Sequence, residues 1–217
     1  MGQRTSTEQD TSTATTTVER VAEATVTDST LEVTEGQHST TAAMTGTVEN
    51  TGNIPLLMCN AVAKFYNADD ELLNTNGWQI MGLLPGETWA PWLQYYGDGS
   101  KVERATLEID STTSAEESNL YSGGASFQIE ETNVQVPVDA GGMPRLTAKV
   151  RNDTGSEVAR VRFIGKVYDD AGRAIAHGTR VVNSFGAGEV WNVEAPMNME
   201  GDRGDQISSH EVLLFSL

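Results

Sequence analysis

The sequence predicts an all-β protein: two tandem β-sandwiches behind a Thr-rich N-terminal tether. Three observations carry that prediction. The chain repeats itself at one constant spacing, so that Gly86-Glu87-Thr88-Trp89 returns as Gly188-Glu189-Val190-Trp191 and Lys64-Phe65-Tyr66 returns as Lys166-Val167-Tyr168. Within each copy, apolar and polar side chains alternate with a period of two, the mark of half-buried strands. Short alternating runs are separated by turn residues, and no long amphipathic helical stretch interrupts them.

The elements follow in order. Residues 1–17 are almost wholly polar and cannot offset the entropy of ordering, so they are read as a disordered tether. The first sandwich is expected over residues 18–110, a linker over 111–125 and the second sandwich over 126–217. Val18 to Val33 is the first strand region, matched by Ser126 to Val136, with a turn at Gly36 to Ser39. In Thr41 to Asn50, Met44, Gly46 and Val48 face one way and Thr45, Thr47 and Glu49 the other. The second copy keeps that phase with Leu146, Ala148 and Val150 against Thr147, Lys149 and Arg151. Leu57 to Tyr66 is the longest strand, with Leu57, Cys59, Ala61, Ala63 and Phe65 on one face. Its counterparts are Ala159, Val161, Phe163, Gly165 and Val167. Asn67 to Asp70 and Asp169 to Gly172 then turn each chain back as a hairpin. Pro85-Gly86 and Ala187-Gly188 precede the Trp89 and Trp191 strands. Arg104 to Asp110 and Glu211 to Leu217 close the copies.

Charge narrows the partners. The net charge is −17, and only four of the 14 basic residues are lysine. Such a chain repels nucleic acid and anionic membrane at long range. Carboxylates favour solubility more than lysines do, and salt screens their mutual repulsion, so a halophilic, archaeal source is expected. Cys59 is the only cysteine, which leaves no intrachain disulfide. No apolar run approaches the roughly 18 residues that span a bilayer. The polar opening tract matches a tether behind a removed leader, giving an extracellular, surface-held protein whose membrane contact runs through a lipid anchor of the precursor.

The repeated residues resemble a family. The Val-Asn-turn-Gly step, the strand ending at Tyr before an Asn or Asp turn, and the Gly-Glu-x-Trp step resemble FxLYD-type domains, small immunoglobulin-like β-sandwiches of archaeal and bacterial surface proteins. They are carried by Val48, Asn50, Gly52, Tyr66, Gly86 and Trp89, and again by Val150, Asn152, Gly155, Tyr168, Gly188 and Trp191. The naming motif departs from its pattern: Ala63 and Gly165 stand for its Phe, Phe65 and Val167 for its Leu, and only Asp169 keeps its Asp. The resemblance implies a sandwich fold and no catalytic residues.

Candidate chemistry is sparse. His38, His177 and His210 lie in unrelated segments, lack ligand spacing and are expected to be solvated. Cys59 falls on the core face, where Val161 is its counterpart, so it is read as packing. Asp69-Asp70-Glu71 is a solvated hairpin tip, and Arg203-Gly204-Asp205 a polar turn. Glu87 and Glu189 recur after glycine and are expected to accept local backbone hydrogen bonds. Neither a metal nor a cofactor is implied, and no catalytic set. Asn152-Asp153-Thr154 is the one N-glycosylation sequon. Two features differ between the copies and are the binding candidates. Trp78, Trp92, Tyr95 and Tyr96 read as a loop aromatic cluster for protein or glycan. Lys149, Arg151, Arg160, Arg162 and Lys166 read as one basic face, if their strands share a sheet. The expected function is a non-catalytic surface binding module. The alternative is a structural subunit of a filament, envelope or virion coat, packing against further copies.

Overall fold

The computed structural model describes residues 19–114, 120–121, 127–137 and 142–216. The expected tether lies outside them.

Each copy is built from the same six strand positions. In the first, these are β1 (Ala24–Glu35), β2 (Thr40–Asn50), β3 (Leu56–Tyr66), β4 (Leu72–Leu83), the short pair β5 (Thr88–Trp89) and β6 (Trp92–Gln94), and β7 (Arg104–Ser114). β8 (Leu120–Tyr121) follows. The second copy runs through β9 (Phe127–Gln135), β10 (Arg145–Asn152), β11 (Val158–Tyr168), β12 (Ala174–Phe185), β13 (Val190–Pro196) and β14 (Ser209–Ser216). Two single-turn 3-10 helices, Gly99–Lys101 and Gly204–Gln206, are the helical segments among the described residues.

Strand registers reproduce the duplication. Leu31 pairs with Met44, and Val134 with Leu146. Asn67 Oδ1 accepts from the Asp69 and Glu71 amides, and Asp169 Oδ1 from the Ala171 and Arg173 amides. At the left-handed position of that hairpin one copy has Asp70 (φ 60°) and the other Gly172 (φ 75°). Gly86 and Gly188, both at φ near +74°, donate to the carbonyls of Asn50 and Asn152. Glu87 and Glu189 each accept a backbone amide three residues upstream at 2.7 Å, which closes the turn.

Sheets pack over two cores. Trp89, Phe65, Leu56, Ile80 and Leu83 fill the first; Phe163, Phe185, Leu146, Val161 and Leu214 fill the second. Each fully buried side chain of this size is worth about 1.5–3 kcal/mol relative to exposure. Leu56, not Leu57, enters the first core, because the register of β3 against β7 shifts between Leu56 and Met58.

The two copies are more closely joined than a linker implies. β7 continues to Ser114, and β8 pairs with β14. β4-β3-β7 and β13-β10-β9 are separate three-stranded sheets, whereas β1-β2-β5 of the first copy continues into β12-β11-β14 of the second as one eight-stranded sheet. The join is a parallel contact of Trp89 with Ala174, closed by the Ala90 amide donating to the Ala174 carbonyl at 2.8 Å. Ala174 packs into the first core and Ala90 into the second.

Candidate functional site

The outer faces of the two copies have opposite fates. On β11 and β14, Ile164, Leu213 and Phe215 are buried beneath Leu57, Met81 and Leu84 of the first copy. Beside that apolar contact lies a buried ion cluster. Lys166 is fully buried, and its Nζ donates to the Gly82 carbonyl (2.9 Å) and to both carboxylate oxygens of Glu87 (2.6 and 2.7 Å). Glu211 Oε2 lies 3.1 Å away. The Tyr168 hydroxyl sits 2.8 Å from Glu87 and 2.7 Å from Glu211; with one proton it donates to one of them at a time. Burial and the two carboxylates push its ionisation far above the ordinary phenol range. Glu87 therefore closes its own turn and grips the other copy. Its counterpart Glu189 has only the first task among the described residues.

A second grip comes from the segment after β13. The Asn198 amide donates to the His177 carbonyl at 2.7 Å. Glu200 is buried and accepts from Asn76 (2.8 Å) and Tyr96 (3.2 Å). Burial raises the carboxyl's pKa, opposed by those hydrogen bonds. Gly201 (φ +75°) lies under Trp92; a Cβ there would stand 3.1 Å from the indole.

Between these two grips, no described residue covers part of the outer face of the first copy. Asn60 and Val62 of β3, Gly77, Trp78 and Gln79 of β4 and Asp110 of β7 form one side of a cleft; His177 of β12 and Asn198 form the other. Its volume is about 360 Å³. Trp78 packs partly against the first core. His177 is 2 % exposed, and its Nδ1 has no hydrogen-bond partner among the described residues. Burial holds its pKa down to about 4, so the imidazole is neutral at physiological pH. The expectation of a solvated His177 is thus corrected: it faces the other copy, opposite Lys166 in the β11–β12 ladder. A buried polar atom left unpaired costs about 1–3 kcal/mol unless something supplies its bond.

The sequence-derived candidates divide. Trp78 borders the cleft through its backbone, with its side chain on the core face of β4 opposite buried Ala61. Tyr95 is a core residue tilted against Phe65 with ring centroids 5.4 Å apart. Trp92 lies over Gly201, beside a polar depression with Arg173 and Arg203. Tyr96 is exposed and bonds Glu200. The four therefore form no single aromatic patch. The basic face is also corrected, because β10 and β11 lie in different sheets. Lys149 and Arg151 on β10 share Glu130 at 2.8 and 3.1 Å, and Arg151 also meets Asp153. Arg160 and Arg162 sit on β11, and Lys166, expected to point outward, is buried.

Other positions serve the fold. Asn152 is fully buried: its Nδ2 donates to the carbonyls of Ser156, Phe185 and Gly186. This corrects the glycosylation expectation, since a glycan needs that amide nitrogen at the surface. Asn50 repeats the arrangement with Ile54 and Leu83. Cys59 is buried, and its thiol is pushed up to about 12. Arg203 donates to the Ala90 carbonyl at 2.8 Å, which holds the Arg-Gly-Asp turn against the first copy. His210 Nε2 lies 2.9 Å from the Thr132 hydroxyl. Asp70 at the hairpin tip accepts from Arg104.

Comparison with known proteins adds little. No family model matches the chain, and no curated protein matches it. Among solved structures, red sea bream transglutaminase is similar over 80 % of this chain at 14 % identity and a TM-score of 0.24. This chain spans 28 % of that protein. The N-terminal CBM22-1-CBM22-2 tandem domain from Paenibacillus barcinonensis Xyn10C is similar over 89 % of this chain and 85 % of that one, at 9 % identity and a TM-score of 0.13. Neither likeness is close enough to bear on ligand or activity.

Proposed function

We propose that the chain is a non-catalytic binding module, two immunoglobulin-like sandwiches of the FxLYD type, held outside the cell at the surface of a halophilic archaeon. The observation that carries the reading is the cleft between the copies, lined by Asn60, Val62, Gln79 and Asp110 of the first and by His177 and Asn198 of the second. Positions that both copies retain, such as Asn50 and Asn152, or Glu87 and Glu189, are consumed by backbone hydrogen bonds. Outward positions that line the cleft differ between the copies: Asn60 has Arg162 as its counterpart, Val62 has Ile164, and Gly77 has Thr179. The side chains there suit recognition more than chemistry. Among the described residues Asp110 is the one carboxylate lining the cleft, and the His177 imidazole is held neutral by burial. The buried Cys59 thiol, with its raised pKa, is no nucleophile.

Retention on isolated archaeal cell envelopes in multimolar salt tests the reading. The native chain is expected to be retained and Gln79→Trp, which fills the cleft from an exposed position, to be released. Equal retention of both, or no retention of the native chain, overturns it.

A further inference from the structure

We propose that the chain joins to further molecules of itself, end to end, by repeating the contact that holds its own two copies together. The partner is the chain itself, so the inference goes beyond the envelope reading and does not rest on it.

The internal join is heterologous: one surface of the first copy meets a different surface of the second. The first copy offers Leu57, Met81 and Leu84, the Gly82 carbonyl and Glu87. The second offers Ile164, Leu213 and Phe215, with Lys166 and Tyr168. Both copies have the same fold, so each also carries the surface that the other uses, and one of each is left over. On the second copy, Ala159, Asn183 and Gly186 stand for Leu57, Met81 and Leu84, and none of them is buried. On the first copy, Val62 opposite Glu108 stands for Ile164 opposite Leu213, in the same register. The cleft marks part of that vacant seat, since Val62 and Asp110 line it. A heterologous contact with both surfaces free propagates from molecule to molecule or closes into a ring.

The leftover surfaces keep the polar means of joining. Lys64 and Tyr66 stand where Lys166 and Tyr168 grip the first copy, and among the described residues the Lys64 ammonium pairs with exposed Glu108 alone. Glu189 repeats the Glu87 turn through Oε2, and its Oε1 has no bond among the described residues. Ser184 holds the left-handed backbone (φ 51°) of its counterpart Gly82 (φ 72°), although a side chain is strained there. In the first copy the carbonyl at that position takes Lys166. Leu72 is 55 % exposed, whereas Ala174, its counterpart opposite the repeated Tyr, is fully buried in the join.

Charge differs between the internal join and its leftover parts, in a complementary sense. Arg160 lies beside Asn183 and Arg162 beside Val181, and neither arginine makes a hydrogen bond or ion pair among the described residues. The opposite surface carries exposed Glu108 and Asp110. A repeated join sets Glu108 against Arg160 and turns Lys64 toward the Glu189 carboxylate. Ion pairs at an exposed contact are weak and screened by salt, and separate molecules lack the high effective concentration of two copies on one chain. Association between molecules is therefore reversible, unlike the join within one.

The test is sedimentation velocity of the intact chain, from micromolar to millimolar protein, at low and at multimolar salt. The native chain is expected to sediment faster as its concentration rises, through a series of species, and less so in high salt. Reversing one surface with Arg160→Glu and Arg162→Glu should leave it monomeric. Reversing the other with Glu108→Arg and Asp110→Arg should do the same. Mixing the two variants should restore association, because each supplies the charge that the other now needs; restoration also shows that both are folded. A native chain that stays monomeric at millimolar concentration overturns the proposal. So do association that survives either reversal, mixed variants that stay apart, and growth that stops at a symmetric pair. Envelope retention is scored separately. A chain that is retained but never self-associates loses this inference alone, and one that self-associates without being retained loses the envelope reading alone.

Discussion

Replacing Lys166 with methionine is expected to loosen the join between the copies. The ammonium has no exposed surface and is the only cation among the described residues that touches Glu87, whose side chain is 12 % exposed. Without it, that carboxylate stands uncompensated beside Tyr168 and Glu211, and the Gly82 carbonyl loses its donor. Breaking a buried pair from one side costs about 3–5 kcal/mol. For a chain of this size each kcal/mol moves the midpoint by roughly 2–4 °C, so Lys166→Met should melt about 6–20 °C below the native protein. Adding Glu87→Gln removes the stranded charge while its amide oxygen still accepts from Leu84. The double variant should therefore recover part of the loss, with a coupling of at least about 2 kcal/mol. Lys64, the counterpart in the first copy, pairs with Glu108 at the surface, and Lys64→Met should leave the midpoint almost unchanged. The assay is thermal unfolding at fixed salt, followed by circular dichroism and calorimetry. A Lys166→Met midpoint within about 2 °C of native, or strictly additive effects, would refute the reasoning.

Three further outcomes are expected. In the unfolded chain His177 protonates near its ordinary value of 6.5, and in the fold near 4. Stability from this group is full above pH 6.5 and is lost as pH falls toward 4, by up to about 3 kcal/mol, because only the unfolded state takes the proton. His177→Gln should flatten that part of a denaturation-versus-pH curve. Asn50→Ala and Asn152→Ala should each cost about 2–4 kcal/mol in urea unfolding, since each strips several buried backbone groups of their partners. Unequal costs would argue against equivalent scaffold roles. Asp70→Gly should stabilise by roughly 0.5–1 kcal/mol, since Gly172 occupies that left-handed position without strain; a loss would show that the exposed Arg104 pair matters more.

Local structure was legible in the sequence where one residue type serves one local need. Alternation placed β2, β3, β10 and β11, and the repeated Gly-Glu and Asn-turn steps marked the turns that the hydrogen bonds then confirm. Packing between the copies was not legible. Lys166 reads as an outward strand residue like Lys64, and nothing local says that another copy covers it. The basic face failed because strand spacing carries no statement of which strands pair, and β10 and β11 belong to different sheets. Of the aromatic candidates, Trp78 was singled out by its difference from Arg180, but its side chain packs toward the first core opposite Ala61. His177 was passed over, because the Leu57, Met81 and Leu84 contact that brings the copies together follows from tertiary structure alone.

The account depends most on the two copies being held in one arrangement that keeps the cleft formed. Nitroxide labels at Thr34→Cys and Glu157→Cys, in a Cys59→Val background that copies Val161, report the separation of the copies by pulsed electron resonance. A single narrow distance is expected in multimolar salt, broadened by Lys166→Met. A broad distribution in the otherwise native chain, or one that Lys166→Met leaves unchanged, contradicts the account.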